Sequence, residues 1–153
     1  MTKEDKLTII DNINLRQSII EICDRVDHQK LTMWSLDQAL KTFDLLDIDY
    51  HQNQLIIKAL NKCYLWQSSE ATSSEVRNAS LSIHRLSRET EDQVEKIAYR
   101  ALGHAIGSID LKDHVAIACD YGVKAIGLYN DNDLKQINKA RYSQLENLQK
   151  TFK

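Results

Sequence analysis

The stretch that decides the fold is YRALGHAIGSIDLKDHVAIACDYGVKAI, which occupies residues 99–126. All four glycines of the chain fall between positions 103 and 127, and Gly103, Gly107 and Gly122 lie inside apolar patterns of helical spacing. Because a glycine inside a helix costs ~1 kcal/mol relative to alanine, its repeated use predicts helices that approach one another closely. The one plausible turn runs over 108–112, so the stretch predicts two antiparallel helices that meet there.

The rest of the chain extends this helical prediction. Its 153 residues fit one domain, and they include no proline, which favours long helices joined by short loops. After a loose lead-in over 1–12, the apolar periodicity predicts helices over about 15–28, 33–46, 52–67, 72–88, 91–109, 113–128 and 134–152. We therefore expect one all-α domain over 1–153, a single-domain bundle of six or seven helices. The helix over 113–128 is apolar nearly all round and is predicted to be central.

Composition and charge exclude several classes of protein. The net charge is −2 and no cluster of five or more Lys and Arg residues occurs, so we expect no nucleic-acid partner. No apolar run approaches the ~20 residues of a membrane span, and no apolar segment follows the charged residues 1–6, so neither a membrane partner nor a signal peptide is predicted. The three cysteines, Cys23, Cys63 and Cys119, are predicted to be buried thiols in a reducing compartment. These features predict a cytoplasmic protein.

The usual catalytic and metal-binding motifs are missing from the sequence. It contains no His-Glu-x-x-His, no Glu-x-x-His, no His-Asp dipeptide, no Gly-x-Ser-x-Gly and no glycine-rich phosphate loop. Three predicted helices nevertheless offer one histidine each, His84, His104 and His114. These side chains could converge on a divalent metal, which would make the protein a metal-binding hydrolase, or they could form hydrogen bonds between helices. The residues by themselves specify no enzyme and no cofactor.

Polar residues at helical spacing flank the apolar faces of the predicted helices over 72–88, 91–109 and 113–128. They are Arg77, His84, Arg88, Arg100, His104, His114 and Tyr121. Such residues either satisfy one another as a buried polar seam, or they open in part to a cleft that meets a ligand or a partner. Their positive groups outnumber the nearby acids Glu70, Asp113 and Asp120, so the seam is predicted to be able to hold an anion.

Two further groups of residues are candidate contact sites. Trp34 and Trp66 lie on apolar helix faces, which is more typical of core residues than of an interface. The acidic residues Asp44, Asp47 and Asp49 surround a predicted helix C-terminus, where negative charge is unfavourable. They form the best predicted surface for a basic partner.

The order and spacing of several short fragments resemble a known family. Trp34 is followed by Asp37 and Ala39, and Trp66 is followed by Glu70. After Arg77, His84 and Arg88 comes the strongest fragment, Arg-Ala-x-Gly-His-Ala over 100–105, and then His114, Tyr121 and Lys124. Over about 30–128 the chain resembles the type-five immunity-like family, small all-helical bacterial immunity proteins. Where the family often has glycine before the glutamate, this chain has Ser69, so that turn is expected to differ.

The resemblance implies a function of the interaction class. A member of this family is expected to bind a cognate protein toxin and to block it by stoichiometric binding, without turnover. The resemblance brings no catalytic residues and no cofactor, and it leaves open the toxin, its binding surface and the oligomeric state. It does mark Glu70 and Lys124, beside the seven residues of the polar seam, as candidates for binding a partner or for holding the helices together.

Overall fold

The computed structural model describes residues 12–153, so most of the lead-in predicted over 1–12 lies outside the described residues. Within this range seven α-helices follow one another: α1 (Ile13–Arg25), α2 (His28–Leu45), α3 (Gln54–Gln67), α4 (Ser73–Glu89), α5 (Gln93–Gly107), α6 (His114–Tyr129) and α7 (Leu134–Thr151). Residues 12–153 contain no strand. The predicted all-α bundle is therefore confirmed.

Side-chain caps explain where the helices begin. Helix α4 starts with the predicted capping box, in which Thr72 and Glu75 each accept a hydrogen bond from the other's backbone N–H. Helix α2 begins at His28, five residues earlier than predicted, because the Asp27 carboxylate accepts a hydrogen bond from the Lys30 amide at 3.1 Å. Thr32 and Ser35, which a start near residue 33 would place at the helix N-terminus, are instead buried inside that helix.

Helix α6 is the central element, as predicted. It packs against α5, α2, α7 and α1, and α5 in turn packs against α4 and α2. A large apolar core fills the space between α2, α3, α4, α5 and α6, and a smaller one joins α1 and α7 to α2 and α6. Trp34 belongs to the smaller core, and Trp66 packs against the edge of the larger one. Leu55, predicted to be buried, is 42% exposed because it lies on the outer face of α3.

The glycines differ in how closely neighbouring atoms would approach an added Cβ. A Cβ at Gly103 would lie 2.7–2.9 Å from three atoms of the His84 imidazole, and one at Gly107 would lie 3.2 Å from Ser80 Oγ. Those two positions therefore confirm the predicted close contacts. At Gly122 the nearest atoms would be Thr42 Oγ1 at 3.5 Å and Gln144 Nε2 at 3.6 Å, which is ordinary contact distance. The prediction of a close contact is wrong there.

The backbone of the turn after α3 can be compared with the family pattern at Ser69. Ser69 has a φ of 63°, the left-handed region that favours glycine, so the backbone there keeps a conformation suited to the family's usual residue. The expectation of a different turn is thus not supported at this residue.

All three cysteines are buried and free, as predicted. No helix within residues 12–153 is long and apolar enough to cross a membrane.

Candidate functional site

Three histidines and a tyrosine meet where α4, α5 and α6 pack together. The His84 ring of α4 contacts the His104 ring of α5 edge-on, with centroids 4.7 Å apart. His104 stacks on Tyr121 of α6 at 5.2 Å with an interplanar angle of 5°, and its Nδ1 lies 3.4 Å from Nδ1 of His114. We call His84, His104, His114 and Tyr121 the histidine cluster. Gly103 makes this approach possible because its missing side chain leaves room for the His84 ring.

Positive charge borders the histidine cluster on one side. Arg100, one helical turn before His104, lies close enough for its charge to act on the Tyr121 hydroxyl. The Arg100 charge also acts on His84 and on Lys124, which lie on the two helices beside it. Burial and this charge lower the pKa of Lys124. We call Arg88, Arg100 and Lys124 the cationic patch.

The same surroundings keep the His84 imidazole neutral. Burial is the largest cause, and the positive charges of Arg100, Arg88 and His114 add to it. Together they lower the pKa of His84 from 6.5 to about 4. At neutral pH, therefore, this ring acts as an uncharged hydrogen-bonding and stacking group.

This shift predicts that acid destabilises the protein through His84. The folded pKa of His84 is lower than the unfolded one, so its contribution to stability is present above pH 6.5 and is lost as the pH falls from 6.5 towards 4. The full shift corresponds to about 3 kcal/mol, and since the ring is partly exposed we expect a loss of roughly 1 kcal/mol. Urea unfolding of the wild type and of His84→Gln across this pH range measures it. Parallel curves for the two proteins would contradict the prediction.

Other predicted site residues have partners of their own. Arg77 forms a two-pronged ion pair with Asp110, with distances of 2.7 and 3.1 Å. Glu70 accepts a hydrogen bond from Ser68 Oγ at 2.8 Å in the exposed loop after α3. Asp120, expected to pair with Lys124 one turn along α6, points instead to arginines of α1 and α7. Arg77, Glu70 and Asp120 therefore each bind partners outside the histidine cluster.

The three histidines do not form a metal site. Within residues 12–153 no group of three or more His, Cys, Asp or Glu side chains is arranged to hold a metal ion. The His84 ring meets the His104 ring edge-on, the His114 ring is tilted against it, and His104 stacks on Tyr121. The described residues therefore give the metal-dependent alternative no support.

A buried charge network joins α6 to the terminal helices, and the sequence reasoning missed it. The Asp120 carboxylate accepts hydrogen bonds from Arg16 at 2.8 and 2.9 Å and from Arg141 at 2.7 Å. Arg141 is completely buried, and it also donates to Gln144 Oε1 at 3.1 Å. Arg141 is a charged residue at a buried position of the otherwise polar helix α7. That placement was the only signal that could have revealed the charge network.

Two open cavities lie elsewhere, in a furrow between α2 and α7. One has a volume of about 460 Å³ and the other about 550 Å³, and Lys41 and Asn147 line both. Asn147 Oδ1 bridges the furrow, since it accepts hydrogen bonds from Trp34 Nε1 and Gln38 Nε2, each at 2.8 Å. None of the nine predicted site residues lines either cavity.

Comparison with known families decides the relationship of this chain. The model of one family, described as "Imm-5 like putative immunity protein", matches residues 21–151. The chain belongs to this Imm-5 like family. The match includes all seven helices except the first turns of α1, and it contains the histidine cluster and the cationic patch. No curated protein and no solved structure gives a significant match.

Membership confirms the resemblance seen in the sequence. It extends that resemblance from about 30–128 to 21–151, so that the last five residues of α1 and all of α7 lie within the match to the Imm-5 like family. The Asp120 network, which joins these two helices to α6, thus lies almost wholly within the matched region, with Arg16 just before it.

Proposed function

We propose that this Imm-5 like protein neutralises a bacterial toxin by binding it stoichiometrically, without chemical turnover. The observation that supports the proposal most directly is the family match over residues 21–151, since the family is one of immunity proteins. The cognate partner is then a protein. An inhibitory complex of ordinary size would bury about 800 Å² on each partner.

The geometry of the described residues agrees with a binding role. The two most unusual polar groupings, the histidine cluster and the Asp120 network, both hold helices together. Such networks fix the relative positions of helices, and a rigid surface loses little entropy when a partner docks. The buried free cysteines favour a reducing compartment, so we place the encounter with the toxin in the cytoplasm.

Co-expression with the toxin encoded by a neighbouring gene tests the proposal. Cells that produce both proteins are expected to survive, whereas cells that produce the toxin alone are not. Mixed in solution, the two proteins are expected to elute as one complex of fixed stoichiometry, with the toxin inactive for as long as the complex persists.

A turnover mechanism would give a different result. If a small molar fraction of this protein silenced an excess of toxin, the stoichiometric mode would be wrong. If equimolar protein neither protected cells nor formed a complex, binding of that toxin would be refuted.

A further inference from the structure

We propose that Arg88, Arg100 and His84 form a binding site for a carboxylate, supplied by an acidic side chain of the partner protein. This inference rests on the toxin-binding function proposed above, and it names the chemistry by which one part of the surface would recognise the toxin.

The register of the helices places the positive groups at one level. Ser80 Oγ of α4 donates to the Gly103 carbonyl and Ser87 Oγ to the Lys96 carbonyl, so α4 and α5 are antiparallel. The contact between the rings of His84 and His104 fixes the pairing, and Arg88 lies one turn beyond His84 just as Arg100 lies one turn before His104. Arg88 and Arg100 therefore face each other across two adjacent helices.

Helix α6 adds a further positive group at the same level. Tyr121 stacks on His104 and lies within the field of the Arg100 charge, and Lys124, on the next turn of α6, lies within that field too. The cationic patch thus spans α4, α5 and α6 around the central Arg100. Arg88 is exposed, and Arg100 and His84 are half-buried, so a group from outside can reach them.

Among residues 12–153, no acid forms an ion pair with either of the two arginines, Arg88 and Arg100. The charges that act on His84 are all positive. Asp110 binds Arg77, and Asp120 binds Arg16 and Arg141, so these two acids are engaged elsewhere. Arg100 is half-buried, and a half-buried guanidinium without a counterion favours an incoming anion, because water solvates it only in part.

A carboxylate fits this arrangement better than a halide or a neutral group. The guanidinium fork of arginine matches the two oxygens of a carboxylate, and two opposed arginines can each donate to it. The neutral His84 ring beside them can donate one more hydrogen bond from a ring nitrogen.

A titration of the isotope-labelled full chain with propionate, a mimic of the glutamate side chain, tests the site. At pH 7 and constant ionic strength we expect saturable NMR shifts at Arg88, Arg100 and His84, with a dissociation constant on the order of 10 mM. Arg100→Gln is expected to weaken binding by about tenfold, and Arg100→Lys, which keeps the charge but loses the fork, by less. Arg85→Gln removes an exposed arginine of α4 outside the patch and is the matched control.

Each other outcome overturns the proposal. Absence of saturable shifts at the patch in wild-type protein up to about 200 mM propionate would refute the site, whatever the variants do. Saturation by inorganic phosphate but not by propionate would assign the site to a phosphate group and refute the carboxylate. If the toxin is neutralised while propionate fails to bind, this inference falls and the toxin-binding function stands.

Discussion

Replacing Asp120 by asparagine is expected to lower the free energy of unfolding by about 3–5 kcal/mol. The carboxylate is the counterion of Arg141, which is completely buried, and it also binds Arg16, whose side chain is 39% exposed. Without it, Arg141 loses its Asp120 counterion and keeps its positive charge in the core, where Gln144 still accepts a hydrogen bond. Urea unfolding followed by circular dichroism measures the loss. A change below about 1 kcal/mol would show that the network is not stabilising.

Two further variants separate this effect from a general sensitivity to the loss of a carboxylate. Asp131→Asn removes an exposed carboxylate from a turn whose φ of 52° asparagine also tolerates, and we expect a change within about 0.5 kcal/mol. In the Asp120→Asn background, Arg141→Met removes the buried positive charge. The double variant is expected to recover at least about 1 kcal/mol, because the two sites are coupled.

Replacing Gly103 by alanine is expected to destabilise the protein by about 2 kcal/mol. The new methyl group would lie 2.7–2.9 Å from the His84 imidazole, and that ring is held by its contact with His104. Overpacking of this kind costs about 1–3 kcal/mol, which exceeds the gain of up to about 1 kcal/mol from replacing glycine in a helix. Thermal and urea unfolding of the purified variant measure the result. A variant more stable than wild type would mean that the ring moves aside freely.

Gly122 provides a control for the Gly103→Ala prediction. Gly122→Ala introduces the same methyl group at a position where its neighbours are 3.5 and 3.6 Å away, so we expect a neutral or stabilising effect of up to about 1 kcal/mol. In a His84→Ala background, Gly103→Ala is expected to lose its cost, since the side chain that it strikes is gone.

Local sequence patterns were sufficient to predict the number of helices and the central place of α6. Apolar spacing repeats every three to four residues in each helix, and α6 is apolar on all sides, so both properties can be read from neighbouring residues. The capping box at Thr72 is likewise a local pattern. The start of α2 was missed because a strong cap at Asp27 lies before an apparently polar segment.

The candidate site could be predicted only in part. Residues on one stripe of a helix face the same way, so the grouping of His84 with Arg88, and of Arg100 with His104, follows from the sequence. Which stripes face each other depends on the rotation of each packed helix. The contact of His84 with His104 and the stacking of His104 on Tyr121 therefore appeared only in three dimensions.

By itself, the sequence determined that this protein is an all-α bundle of the Imm-5 like type, because helical periodicity and motif order are properties of the chain. Only the tertiary structure determined which charged side chains form ion pairs with one another. Asp120 turns to Arg16 and Arg141, 104 and 21 residues away, and not to its near neighbour Lys124. Two arginines, one of them fully buried, stabilise a buried carboxylate far more than one lysine at a helix surface, and only the packing of α1 and α7 on α6 brings them there.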